Sequence, residues 1–197
     1  MNVESVKLKI SRTGLAVNAV VSAVCLAVSV AGFFLPVGQS GYYDGCPVIN
    51  RVSYMFCHTG LFTCLLNLYA FRCASRFVEL LNRDIPACMV YVPAFVAGFV
   101  STFGTEYAIP TCGLSGVVYF LLGMASLSGR LWLFFLFFST LGVSALLSRV
   151  SGAYINDMVH LAGFTYGVAY YITYKLIQSW MNKRKRRGLP VSRHSRT

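Results

Sequence analysis

A serine and a histidine in this chain have the neighbours expected of a hydrolytic pair. Ser115 lies between Gly113 and Gly116, and His160 begins an apolar run. A serine hydroxyl attacks a carbonyl carbon when an imidazole removes its proton. The acid nearest to His160, Asp157, is one turn earlier and at a predicted surface position. The pattern therefore predicts a dyad without the third member of a triad.

Ser115 also lies where a helix is predicted to begin. The first backbone N–H groups of a helix have no partner within it, so the backbone at Gly113, Leu114 and Ser115 could hold a developing oxyanion. Helix capping or helix packing also explains a serine at this place. Ser115 taken alone favours that structural interpretation.

The glycines near both residues predict how they could meet. Gly163 and Gly167 share a helix face with His160, and their four-residue spacing permits close helix approach. Gly116 and Gly123 offer a matching face, and contact between the two faces would carry His160 toward Ser115. Tyr119, one turn after Ser115, could pack on the imidazole. A histidine that only hydrogen-bonds between helices remains an open alternative.

Two further polar residues could donate hydrogen bonds to an oxyanion. Thr63 and Asn67 are four residues apart, on one face of a predicted helix. An amide and a hydroxyl there could serve as donors. Interhelical hydrogen bonding, typically worth about 1 kcal/mol or less, is the alternative explanation.

Lipid is the predicted surrounding of these helices. The chain is 56% hydrophobic and only 12% charged, against about 25% charged residues in soluble domains. A bilayer crossing takes about 20 apolar residues. We predict an all-α, polytopic bundle of six membrane-spanning helices between a short cytoplasmic segment, 1–12, and a basic, disordered tail, 180–197. The helices of this membrane domain, 13–179, are predicted at 13–36, 53–71, 86–104, 113–129, 131–148 and 157–179.

The basic residues predict an orientation and argue against nucleic acid as the partner, despite a net charge of +11. Fifteen of the seventeen Lys and Arg residues fall on the side that holds both termini, and only Arg51 and Arg149 fall on the other. Because cytoplasmic loops carry such an excess, both termini are predicted to be cytoplasmic, or on the matrix side in an organelle. Basic residues at the ends of apolar runs are typical of contacts with membrane lipids.

The cysteines and histidines predict no metal site. The seven cysteines include no CxxC pair, and three histidines are too few for zinc. Cys46 and Cys112 fall on predicted non-cytoplasmic loops and could pair, which the spacing leaves open.

Three segments, which lie on predicted helices 2, 4 and 6, resemble motifs of the rhomboid family and follow one another in the same order as in that family. Cys112–Gly123 is similar to the family's GxSG active-site helix, and His160–Gly167 to its last-helix histidine motif. Arg51–Asn67 is similar to the family block that ends in HxxxN, and Glu79 matches an acid in the following loop. The resemblance covers about residues 50–180.

The resemblance implies an intramembrane serine protease with Ser115 as nucleophile, His160 as base and Asn67 as an oxyanion donor. It also implies that Tyr119 stacks on the imidazole, that transmembrane helices are cut near the non-cytoplasmic face, and that no cofactor is needed. Thr63 stands where many members have a histidine that lines the oxyanion hole. Divergent members are pseudoproteases, so binding of membrane clients in translocation or quality control is the alternative function. A small transporter or channel is disfavoured, because no second intramembrane charge pair marks an ion path.

Overall fold

The computed structural model describes residues 11–32, 41–103, 110–128 and 156–188, with isolated positions between 132 and 146. All regular structure in these residues is helical, apart from one antiparallel bridge between Tyr42 and Thr111. The described helices are α1 (Arg12–Ala31), α2 (Asn50–Ser53), α3 (Leu61–Leu81), α4 (Cys88–Val100), α5 (Ser115–Leu127) and α6 (Asp157–Gly188). Most of the predicted fifth membrane helix, 131–148, lies outside the described residues.

Helix α5 is the centre of the bundle and contacts α3, α4 and α6. Nine of its thirteen residues are buried. Phe120, Leu121 and Met124 are among the largest side chains that are completely buried in the protein. A helix that is apolar on every face is expected in such a position. The start of α5, which carries Ser115, is therefore held by neighbours on several sides.

Helices α5 and α6 meet through the four glycines singled out in the sequence. A methyl group added at Gly163 would strike the carbonyl oxygen of Gly116, and one added at Gly167 would strike that of Phe120. At Gly123 it would strike the backbone of α6. Since the two backbones touch at these positions, any larger residue there must push the helices apart.

The predicted second helix, 53–71, was wrong at both ends. The chain forms the short α2, leaves the helix through His58, Thr59 and Gly60, and begins α3 only at Leu61. α3 then continues to Leu81, past Arg72 and Arg76. Hydropathy marks the stretch that prefers lipid, whereas arginine is a good helix former and does not end a helix.

The last helix also extends beyond its predicted end. We expected the helix to stop at 179 and a disordered tail to begin at 180, but α6 continues to Gly188. The added residues are rich in Lys and Arg, which have high helix propensity. Lys175 and Gln178 both contact Asp84, just before α4, at 3.4 and 3.1 Å. Hydrogen bonding from Gln178 is the main cause that lowers the pKa of Asp84.

Only α1, among the described helices, is both long and apolar enough to cross a bilayer by itself. Its N-cap is Ser11, whose hydroxyl accepts a hydrogen bond from Gly14 N. α4 and α5 have 13 residues each, or about 20 Å at ~1.5 Å per residue. The hydrocarbon core of a bilayer is about 30 Å thick, so α5 must begin or end inside it if the bundle spans a membrane.

Candidate active site

Ser115 and His160 lie in direct contact at the interface of α5 and α6. His160 Nε2 is 2.8 Å from Ser115 Oγ, a normal hydrogen-bond distance. Ser115 is the first residue of α5 and His160 lies in the first turn of α6. The glycine interface brings these two helix starts together, so two residues 45 positions apart become neighbours.

The imidazole of His160 is packed between two groups. The ring of Tyr119 lies 4.4 Å from the imidazole, centroid to centroid, with the two planes inclined by 39°. On the other nitrogen, Nδ1 lies 3.6 Å from Asp157 Oδ1. That distance is too long for a hydrogen bond, but it is short enough to stabilise an imidazolium. The ring packing therefore orients the histidine, and Asp157 adds a nearby negative charge.

The backbone before Ser115 has a shape that requires glycine. Gly113 has a φ of 130°, where side chains are rarely accommodated. Its N–H, which the sequence suggested as an oxyanion donor, already donates to the carbonyl of Tyr54 at 2.8 Å. Leu114 is the N-cap of α5, and the N–H groups of Leu114 and Ser115 remain the backbone candidates.

A small space beside Gly113 is bordered by polar groups. A side-chain carbon at Gly113 would lie 3.8 Å from Asn67 Nδ2, 3.9 Å from Ser115 Oγ and 3.9 Å from His58 Cδ2. Asn67 Nδ2 also donates one hydrogen to the carbonyl of Thr63 at 3.0 Å. Since an amide nitrogen has two hydrogens, Asn67 can hold this bond and still donate to an oxygen in the space.

A cavity of about 400 Å³ leads from the serine and the histidine along α3 and α5. Its polar end is formed by Asn67, Ser115 and His160, and its other walls are mainly apolar. Phe77 and Trp132 border it as well, with their rings edge to face at a centroid distance of 6.4 Å. A hydrophobic cleft that ends at a nucleophile and its base suits an apolar chain carrying a reactive carbonyl.

A sequence model of the rhomboid domain matches residues 46–176, more than half of the chain. This chain belongs to the rhomboid family. Rhomboid proteins are integral membrane proteins, and the family includes serine proteases and inactive relatives. No sequence among the curated proteins matches the chain.

Thr63 contributes to this rhomboid site through its main chain. Its carbonyl accepts the hydrogen bond from Asn67, while its side chain does not line the cavity that holds Ser115 and His160. The hydroxyl, which the sequence suggested as an oxyanion donor, is therefore not among the groups that line this cavity.

Several supporting residues of the rhomboid site were missed from the sequence. Asn156 precedes α6, accepts from Val159 N at 3.1 Å and donates to Thr111 Oγ1 at 2.7 Å. Thr111 in turn exchanges two backbone hydrogen bonds with Tyr42. Asn156 thus links the start of α6 to the segment that leads into Ser115. An Asn just before an apolar helix is an N-cap signal, which could have identified Asn156, whereas the link to Thr111 has no sequence signal.

Arg51 and the cysteines have structural positions in this part of the molecule. Arg51 donates to the carbonyl of Thr102 at 2.7 Å and lies over the ring of Phe103 at 4.5 Å. It therefore fastens the chain before α3 to the end of α4.

Cys46 and Cys112 are free thiols, so the disulfide left open by the sequence is not formed here. Burial raises the pKa of the Cys112 thiol to about 11.

Proposed function

We propose that this rhomboid protein is an intramembrane serine endopeptidase that cuts transmembrane substrates near the non-cytoplasmic face. The observation that carries the proposal is the 2.8 Å contact between His160 Nε2 and Ser115 Oγ. A neutral imidazole at this distance can accept the hydroxyl proton as the oxygen attacks. The tilted Tyr119 ring packs against the imidazole and keeps it in line with the serine without a hydrogen-bonded acid.

In the proposed reaction, Ser115 Oγ forms a bond to the carbonyl carbon of the scissile peptide and its proton passes to His160 Nε2. The carbonyl oxygen becomes an oxyanion in the space beside Gly113, near the Asn67 amide and the first N–H groups of α5. Collapse breaks the C–N bond, and the leaving amine takes the proton from Nε2. A water molecule then adds to the acyl ester with His160 as base, which releases the carboxylate product and restores the serine.

The apolar cavity between α3 and α5 is an argument for a substrate that lies within the membrane. Apart from its few polar residues, its walls are side chains such as Leu66, Val118 and Leu122. Because α5 is short, Ser115 lies below the non-cytoplasmic surface if the opposite end of α5 reaches the cytoplasmic interface. With six membrane helices and both termini cytoplasmic, we expect an unwound substrate helix to enter this cleft from the surrounding lipid.

Covalent labelling tests the proposal directly. A fluorophosphonate phosphonylates a serine only when a base activates it, so the purified full chain should be labelled, and Ser115→Ala and His160→Ala should not be. Ser126→Ala is the matched control, because Ser126 is buried on the same helix and donates to Gly123 O away from the cavity. Labelling that persists in Ser115→Ala, or is absent in the wild type, would contradict the proposed nucleophile.

One observation favours a second function, the binding of membrane clients without cleavage. The Thr63 side chain does not line the cavity that holds Ser115 and His160, so the space beside Gly113 lacks the side-chain donor that many family members have in a histidine at this position. A wild-type protein that retains a transmembrane client, leaves it intact and resists fluorophosphonate would have this second function. Thr63→His would then be the first variant in which to look for cleavage.

A further inference from the structure

We propose that a second cavity, between α1 and α3, binds the phosphate headgroup of an anionic membrane lipid. It has a volume of about 270 Å³ and lies apart from the cavity that reaches Ser115. Residues from α1, α3 and α4 line it, among them Ser22, Arg72, Arg76 and Glu79. The proposal does not depend on proteolysis.

Small side chains create the space. α1 touches the bundle along a narrow line of buried residues, Gly14, Val21, Cys25 and Ser29. Beside that line, Ala19 and Ser22 of α1 face Ser75 of α3 across the cavity. These side chains are too short to fill the gap between two helices, and Leu15, which is 57% exposed, leaves an apolar wall open to the lipid.

The charges in the cavity favour an anion. Arg72 and Arg76 are exposed and one turn apart, so their guanidinium groups extend from the same face of α3. The ion pairs found in the described part of the chain, His160–Asp157 and Lys175–Asp84, include neither arginine. Guanidinium groups bind phosphate oxygens through paired hydrogen bonds.

The single acid in the cavity is already engaged. The Glu79 carboxylate accepts hydrogen bonds from Ser11 N and Ser11 Oγ at 3.2 and 3.3 Å and from the Tyr91 hydroxyl at 2.9 Å. Asn18 donates to the same hydroxyl at 3.2 Å. Glu79 therefore fixes the start of α1, and the two arginines leave the cavity with a net positive charge.

The position along the helices identifies a lipid rather than a soluble phosphate. Arg76 and Arg72 precede the end of α3 at Leu81 by five and nine residues, or about 7 and 13 Å at ~1.5 Å per residue. Arginines at this depth extend toward the headgroup layer. In the proposed orientation this layer belongs to the cytoplasmic leaflet, where anionic lipids are concentrated.

Native mass spectrometry of the purified full chain, titrated with phosphatidylglycerol or phosphatidylcholine of identical acyl chains, tests the proposal. We expect the wild type to retain more phosphatidylglycerol. Arg72→Gln and Arg76→Gln should each weaken that binding roughly fivefold. Arg83→Gln, which removes the same charge from an exposed position outside the cavity, should leave the preference unchanged.

A second pair of variants tests the cavity without altering charge. Ser22→Leu fills the space and should also weaken phosphatidylglycerol binding, whereas Ala23→Leu, on the exposed neighbouring position, should not. The proposal is overturned if the wild type shows no preference, if Arg83→Gln loses as much as Arg72→Gln and Arg76→Gln, or if Ser22→Leu binds phosphatidylglycerol as tightly as the wild type.

Discussion

At the scale of single residues, the contact between Ser115 Oγ and His160 Nε2 predicts that the two side chains act as one functional unit. Ser115→Ala and His160→Ala should each lower kcat on a transmembrane substrate by about 10⁴-fold or more, because either change removes the activated alkoxide. The double variant should be no worse than either single one. The measurement is cleavage of one model substrate in detergent, with membrane insertion checked for each variant. A double variant that is much slower than both single variants would show that the residues act independently.

The space beside Gly113, where the oxyanion would form, predicts which of two neighbouring residues contributes more to kcat. Asn67→Ala removes an amide that borders the space, and loss of one oxyanion donor commonly costs about 10²–10³ in kcat. Thr63→Ala should cost less, because Thr63 contacts Asn67 through a carbonyl that alanine also has. Both variants are compared by kcat on the same substrate. The opposite order would mean that the Thr63 hydroxyl moves into the space when substrate binds.

At the scale of secondary-structure elements, the α5–α6 interface determines whether the two catalytic candidates meet. Gly163→Ala places a methyl group against the carbonyl of Gly116. Because overpacking typically costs about 1–3 kcal/mol, the variant should melt at a lower temperature, and it should lose labelling of Ser115 as the helices separate. Gly60→Ala is the matched control, since its φ of 179° is extended and no atom lies within 4 Å of the added carbon. Normal stability and labelling of Gly163→Ala would contradict the close contact.

At the scale of the whole molecule, the distribution of basic residues predicts the orientation of the bundle. A reporter that is active only in the cytoplasm should work when fused after Thr197, and a reporter that needs the opposite compartment should not. The same pair of reporters, inserted at Gly45 in the exposed turn between α1 and α2, should give the reverse result. The control is a fusion to a helix of known orientation. If the reporter at Thr197 is active on the non-cytoplasmic side, Ser115 would lie near the cytoplasmic face and the proposed lipid site near the opposite face.

Parts of this picture could be derived without coordinates. The low charge content and the apolar runs indicate a helical membrane protein, because exposed backbone polar groups cannot be left unpaired in lipid. The glycine spacings around Ser115 and His160 are local patterns, and the structure brings those glycines into one interface. The boundaries of α3 and α6 were wrong because hydropathy reports where a helix meets lipid, while helix length also depends on the helix propensity of residues such as Lys and Arg.

Other features exist only after the chain folds. The sequence determined which residue types were present, and it placed Ser115 and His160 at helix starts that can approach closely. The tertiary structure decided that Nε2 and Oγ are 2.8 Å apart and that Asp157 lies 3.6 Å from Nδ1. It also decided that the N–H of Gly113 is bonded to Tyr54. A spacing in sequence limits which residues can share a helix face, but distances between atoms of different helices depend on how the backbones pack, and one added methyl group at the glycine interface is enough to change them.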